Sequence, residues 1–125
     1  MKFAEDKVLV SGLALAGSAS AVDGVGFTSE DVQVGEKAAI SVGVAVPDQA
    51  VSGAITVELG AELSGGVWDT QAFASVSVTL VRNESCRHTV VVDCSGVNRL
   101  KVLKVTNSDA VAVTGIGVEC RSMVG

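Results

Sequence analysis

The sequence contains few of the side chains from which ligand sites are built. Tyrosine is absent, proline and histidine occur once each, and the aromatic side chains are limited to Phe3, Phe27, Phe73 and Trp68. Sugar-binding β-sandwiches stack their ligands on exposed aromatic rings, and one tryptophan in a predicted loop makes a poor platform for that purpose. Three roles stay open for Trp68: a plug at one end of the core, an anchor for a partner protein, or a ligand platform.

Positive charge is also scarce. Nine Lys and Arg residues stand against 14 Asp and Glu residues, which gives a formal net charge of −5. Binding to nucleic acid depends on a cationic excess that displaces counterions from the phosphates, and an anionic membrane surface attracts the same excess. No apolar run approaches the ~20 residues of a membrane-spanning helix. We therefore predict neither a nucleic-acid partner nor a membrane partner.

Valine is the most informative residue that is present. The chain has 25 Val and 14 Gly among its 125 residues. Val suits a pleated surface better than a helix, and Gly serves turns and bulges, so the composition predicts an all-β protein. Alternating segments arrive at short intervals, the second of them weak, over residues 8–15, 19–27, 38–46, 53–63, 74–81, 87–94, 98–106 and 110–121.

This spacing predicts an antiparallel β-sandwich, a jelly roll of about eight strands, in a single domain over residues 1–125. An extended arm over residues 1–7 is left open, and so is a Greek-key sandwich of the immunoglobulin type. Glycines 115 and 117 predict a bulge or a close backbone approach in the last strand. The expected core consists of Ile40, Val42, Val44, Ile55, Val57, Val76, Val78, Leu80, Val90 or Val91, Leu100, Val102, Val113 and Val118.

The apolar segment near the start has two interpretations. Residues 8–21 end in the small residues SASA, as a secretion signal does, but residues 2–7 hold two lysines and two acidic residues, so their charge cancels. Glycines and a serine interrupt the apolar run, and residues 8–15 alternate as a strand. We therefore favour a strand that stays in the protein over an export signal.

The three cysteines agree with a chain whose thiols stay reduced. An odd number would leave one thiol unpaired in a secreted domain. Cys86 and Cys94 lie eight residues apart in one predicted strand, roughly 26 Å, whereas a disulfide needs Cα atoms within about 7 Å. Reduced, structural thiols are the prediction.

Catalytic and metal-binding arrangements are weak. Cys86 and His88 share one strand face, and Cys120 from a neighbouring strand would give three zinc ligands, but the spacing is unusual and a fourth ligand is missing. Asp93 has the wrong parity to orient His88 as a general base, and no G-x-S-x-G motif occurs. The acidic pair at residues 30 and 31 is more typical of a solvated turn than of a cation site. We predict no catalytic residue, no metal site, no cofactor and no enzymatic activity; a small cysteine- or metal-dependent enzyme is the alternative.

Three parts of the chain resemble a known family. They are the ending NRLKVLKVTNSDAVAVTGIGVECR (residues 98–121), the central segments AISVGVAV and AITVEL, and the polar loop SGGVWDTQAF. They are similar to the jelly-roll capsid cement (decoration) proteins of tailed bacteriophages. The resemblance implies a structural virion protein, made in the host cytoplasm, that binds the outer capsid surface and bridges major capsid proteins. It also implies a homo-oligomer, either a dimer or a trimer.

A mean hydropathy of +0.49 fits that expectation, because few charges over so apolar a chain indicate faces covered by partners. We expect the terminal segments and the loop around Trp68 to make the protein contacts, with Phe3 and Trp68 as contact residues. Two other classes remain: an exported β-sandwich module for adhesion or carbohydrate binding, and a phage tail or baseplate component.

Overall fold

The protein is described by a computed structural model that covers residues 2–124, with side chains described for residues 6–123. It contains ten β-strands. In chain order they are β1 (Lys2–Leu15), β2 (Ser20–Asp23), β3 (Gly26–Phe27), β4 (Asp31–Gln33), β5 (Lys37–Ala45), β6 (Ala54–Glu62), β7 (Ala74–Thr79), β8 (Ser85–Asp93), β9 (Arg99–Asn107) and β10 (Val113–Val124).

The strands form two facing sheets. Sheet A has the order β1-β10-β5-β8, and sheet B has the order β3-β2-β9-β6-β7, with β4 also paired to β9. The antiparallel pairs β1–β10, β2–β9, β5–β8 and β6–β7 are nested about the loop between β6 and β7. A long hairpin rolled into two four-stranded sheets is a jelly roll. The predicted fold class is confirmed, and β3 and β4 are short additions to its eight strands.

Alternating side chains of the two sheets fill the space between them. The predicted core is confirmed: its members are buried, and Val90 rather than Val91 packs against them. Val91 faces out of sheet A and is 61 % exposed. The alternation in β8 therefore places even-numbered side chains inward, as a two-residue period requires.

The apolar segment near the start of the chain is a strand. β1 pairs with β10 along its length, and Leu9, Leu13 and Leu15 are core residues. Residues 2–7 belong to this strand rather than to an extended arm. The backbone of Phe3 pairs with Met123, and the side chain of Phe3 lies outside the described residues.

Two local features differ in how well the sequence indicated them. β4 was not predicted, because its three residues are too few to show alternation, yet Val32 within it is fully buried and pairs with Leu100. The bulge in the last strand is confirmed: the β10–β5 register shifts between Thr114 and Gly117, and Gly115 has a φ of 63°. Residues 2–124 include no helix long and apolar enough to cross a membrane.

Candidate protein-interaction surface

The residues considered for zinc do not converge. Cys86 and His88 pair with Val44 and Val42 on β5, whereas Cys120 pairs with Ile40 from the other side of that strand. Two strand spacings and a two-residue offset separate the Cα atoms of His88 and Cys120 by roughly 12 Å. Among the described residues, no three His, Cys, Asp or Glu side chains form a group that could hold a metal ion.

The end of β8 carries a thiol that is poorly suited to nucleophilic chemistry. Cys94 is fully buried, and burial first and the Asp93 carboxylate second raise the pKa of its thiol to about 11. A thiol at that pKa is protonated near neutral pH and unreactive. Hydrogen bonds from Ser95 hold the pKa of Asp93 below its usual value. Asp93 lies on the opposite face of β8 from His88, so it does not orient that imidazole.

The acidic pair is divided between two structural roles. The Asp31 carboxylate accepts a hydrogen bond from Arg99 at 2.9 Å, on the adjacent strand β9. The Glu30 side chain is exposed, and its backbone N–H donates to the Leu9 carbonyl. Both residues thus help to attach β4 and the segment before it to the sandwich.

The most distinctive surface is the Trp68 loop, defined as residues 63–73, which joins β6 to β7. Its backbone is tied to β6, because the Phe73 N–H donates to Leu59 and the Asp69 N–H donates to Ala61, both near 2.9 Å. The Asp69 carboxylate also accepts from the Ala61 N–H at 3.3 Å, and Trp68 forms a backbone bridge with Glu62. The loop is therefore an ordered extension of sheet B.

Trp68 lies outside the sandwich, so it is not a plug for the core. The Lys101 ammonium sits 4.7 Å from the centre of the indole ring, and Asp23 holds that ammonium at 3.1 Å. Cation–π attraction of about 0.5–1 kcal/mol and the Lys101–Asp23 ion pair keep the ring in place. Because a cation already occupies one ring face, a sugar could stack only on the other. The arrangement favours a protein contact over a ligand platform.

The Trp68 loop also exposes apolar side chains. The loop exposes Leu63 (73 %), Val67 (74 %) and part of Phe73, three of the eight large exposed hydrophobic side chains recorded in the described residues. Leu103 of β9 packs over Gly60 of β6, since a Cβ added at Gly60 would lie 2.7 Å from the Leu103 side chain. Ordered apolar side chains at a protruding loop are typical of a protein-binding surface.

A second surface is a shallow groove on the outer face of sheet A. It encloses about 390 Å³ and is lined by residues that include Val8, Ala39, Ser41 and Glu119. A two-point ion pair of Asp6 with Arg121, at 3.0 and 3.1 Å, lies within it. The pair is more than half exposed, so it stabilises the fold little. The groove holds no arrangement that points to a reaction.

A third surface is the outer edge of β8, which ends sheet A. The Cys94 N–H donates to Glu36 and the Val46 N–H donates to Glu84, so the even-numbered residues of β8 bond to β5. In an antiparallel ladder the intervening residues then point their N–H and C=O groups outward. These residues are Arg87, Thr89, Val91 and Asp93, and no strand within residues 2–124 pairs with them. The sequence did not predict this edge, because alternation of apolar and polar residues does not reveal the order of strands in a sheet.

No protein-family model matches the chain, and no curated protein matches it. Among solved structures, a Bacillus endospore appendage, described as belonging to a family of disulfide-linked pili, aligns with 97 % of this chain and 92 % of that chain. The two are 14 % identical, with a TM-score of 0.39. An alignment this distant assigns the chain to no family.

Proposed function

We propose that this chain is a structural protein that binds other protein subunits, and that it serves as a decoration protein on the outer surface of a phage capsid. The Trp68 loop carries the proposal. It presents Leu63, Val67 and Phe73 to solvent, and it carries an indole whose ring is held by Lys101. The choice of a capsid as the partner rests on the sequence resemblance, and the geometry of the loop supports only the broader role.

Order in the loop favours binding. A contact surface that is already fixed loses little conformational entropy when a partner covers it, so more of the apolar burial appears as affinity. The backbone bonds from Asp69 and Phe73 to β6 supply that order. Covering Val67 fully would contribute about 1.5 kcal/mol, or roughly a tenfold change in the dissociation constant.

Stabilisation of the shell would follow from mass action. A protein that binds the assembled shell and not its separated subunits lowers the free energy of the shell by an amount that grows with its concentration. A copy that touches two capsid subunits gains further from their fixed spacing. The role requires no catalytic group.

The test is co-sedimentation of the protein with capsid shells that lack it, followed by heating of decorated and bare shells. Val67→Ser is the informative variant, and Val81→Ser is its matched control. Val81 is also an exposed valine (46 %), but it lies past the far end of β7, roughly 26 Å along the strand from the end of the Trp68 loop. We expect stoichiometric binding, a higher disruption temperature, and about tenfold weaker binding for Val67→Ser alone.

Each part of the proposal can be contradicted separately. Failure to bind shells would remove the capsid as the partner, and binding to isolated tails instead would indicate a tail or baseplate component. Equal loss of shell binding in both valine variants would remove the Trp68 loop as the contact surface. Deleting residues 2–5 with unchanged binding would remove Phe3 from the predicted contacts.

A further inference from the structure

Unlike the other free edges of the two sheets, the β8 edge is long and regular. β8 pairs with β5 over nine consecutive residues without a register shift. β1, at the other end of sheet A, has four shifts against β10, and β7 in sheet B has six residues. Bulges, short strands, proline and charged side chains protect sheet edges from pairing with another chain. Of these, the β8 edge has only the charges of Arg87 and Asp93.

The residues along this edge are complementary to themselves. Suppose that two copies of β8 pair antiparallel about a two-fold axis at Val90. The numbers of any two residues that face each other then add up to 180. Arg87 then faces Asp93 of the second copy, and Thr89 faces Val91 of the second copy, each twice by symmetry. All four have outward backbone groups, so these pairs are the hydrogen-bonded ones.

Charge selects this register over its neighbours. Sliding one strand by two residues keeps the backbone groups in phase but places Arg87 opposite Val91 or Ser95 of the second copy. Only the register centred on Val90 sets the positive residue opposite the negative one, with Cβ atoms about 5 Å apart. Arg87 now donates to Ser41 across its own sheet at 2.8 Å, and the exposed guanidinium can turn toward the edge.

We propose that two copies of this chain associate through β8, joining their A sheets into one continuous eight-stranded sheet. About eight backbone hydrogen bonds, two in each of four residue pairs, would link the copies. The pairing would also cover part of the exposed Val91 side chain. The proposal goes beyond the role of the Trp68 loop, because self-association through β8 needs no shell.

Charge exchange tests the register. The dissociation constant of the dimer is measured by sedimentation velocity over a concentration series. Arg87→Asp and Asp93→Arg each place like charges together at two symmetric positions, and each should raise that constant about tenfold or more. The double variant restores opposite charges in exchanged positions and should return to within about threefold of the original.

Disulfide trapping provides a second measurement that does not depend on charge. Val90 faces its own copy in a non-hydrogen-bonded pair, where Cα atoms lie about 4.5 Å apart, so Val90→Cys should form an intermolecular disulfide under mild oxidation. Val92→Cys is the matched control, because position 92 would face His88 of the second copy. The two cysteines at position 92 would be about 14 Å apart and should not cross-link.

The expected result is a dimer that the charge variants weaken, the double variant restores, and Val90→Cys traps. A chain that stays monomeric at about 1 mM overturns the proposal. A dimer that is insensitive to both single charge variants, or trapped equally by Val90→Cys and Val92→Cys, overturns the β8 register. If a variant lost shell binding but still dimerised, the result would bear on the Trp68 loop as the shell contact and would leave the β8 dimer standing.

Discussion

Replacing Leu9 with alanine should destabilise the protein strongly, because the start of the chain is part of the core. Leu9 is 1 % exposed, in the part of β1 that faces sheet B. Truncating a buried leucine to alanine costs about 2–5 kcal/mol, including the cavity that remains. The entropy of unfolding of a 125-residue domain is about 0.26 kcal/mol/K, so the melting temperature should fall by about 8–19 °C.

Val8→Ala is the control for this prediction. Val8 precedes Leu9 on the same strand but is 49 % exposed on the outer face of sheet A, so its truncation should lower the melting temperature by about 2 °C. Differential scanning calorimetry measures both variants. If residues 8–21 were a leader that takes no part in the fold, the two variants would melt like the parent protein, and equal melting temperatures would refute the reasoning.

Three further predictions concern Gly17, the Cys94 thiol and the Asp109 carboxylate. Gly17→Ala should lower the free energy of unfolding by about 2 kcal/mol, because the new Cβ would lie 1.9 Å from the Ala110 carbonyl oxygen and would push apart two hydrogen-bonded loops. Gly117→Ala is the control: the atom nearest to its new Cβ is 3.6 Å away, so the free energy of unfolding should change little. Urea unfolding measures both variants. Between pH 9 and about 11 the free energy of unfolding should fall by about 2–3 kcal/mol at most, because the raised pKa of Cys94 lets only the thiol of the unfolded chain ionise there. Cys94→Ala should remove that part of the pH dependence, and an unchanged curve would contradict this prediction. Hydrogen bonds from three backbone N–H groups lower the pKa of Asp109. The free energy of unfolding should therefore fall as the pH drops below about 3.8, where the carboxylate of the unfolded chain takes up a proton first. Asp109→Asn should make that fall smaller in acid titrations monitored by circular dichroism.

The sequence predicted the strands that alternate over many residues. Each of β5–β10 appears within about three residues of its predicted bounds, because a face of Val, Ile and Leu must be buried whatever its neighbours are. β4 could not be predicted in this way. Its burial of Val32 depends on pairing with β9, which comes about 70 residues later in the chain. A three-residue strand carries too little periodicity to reveal such a partner.

The candidate surface was only partly predictable. Trp68 stood out because aromatic residues are scarce, and its loop was recognised from its glycines. Its position outside sheet B depends on Lys101 and Asp23, which are distant in sequence and have no spacing signal. The unpaired edge of β8 follows from the order of strands in sheet A. Strand order is a property of the whole chain and was accessible only from the structure.

The nested pairing of the strands determines how the protein responds to pulling. Lys2 and Val124 face each other at one end of the β1–β10 pair. A force applied to the two chain ends would therefore open the hydrogen bonds of that pair one after another, as a zipper opens. A force that pulls β5 and β8 in opposite directions along their axes would instead shear the ladder between them, whose nine residue pairs run without a register shift, and load its hydrogen bonds together. Attachment through these strands would therefore resist tension better than attachment through the two chain ends.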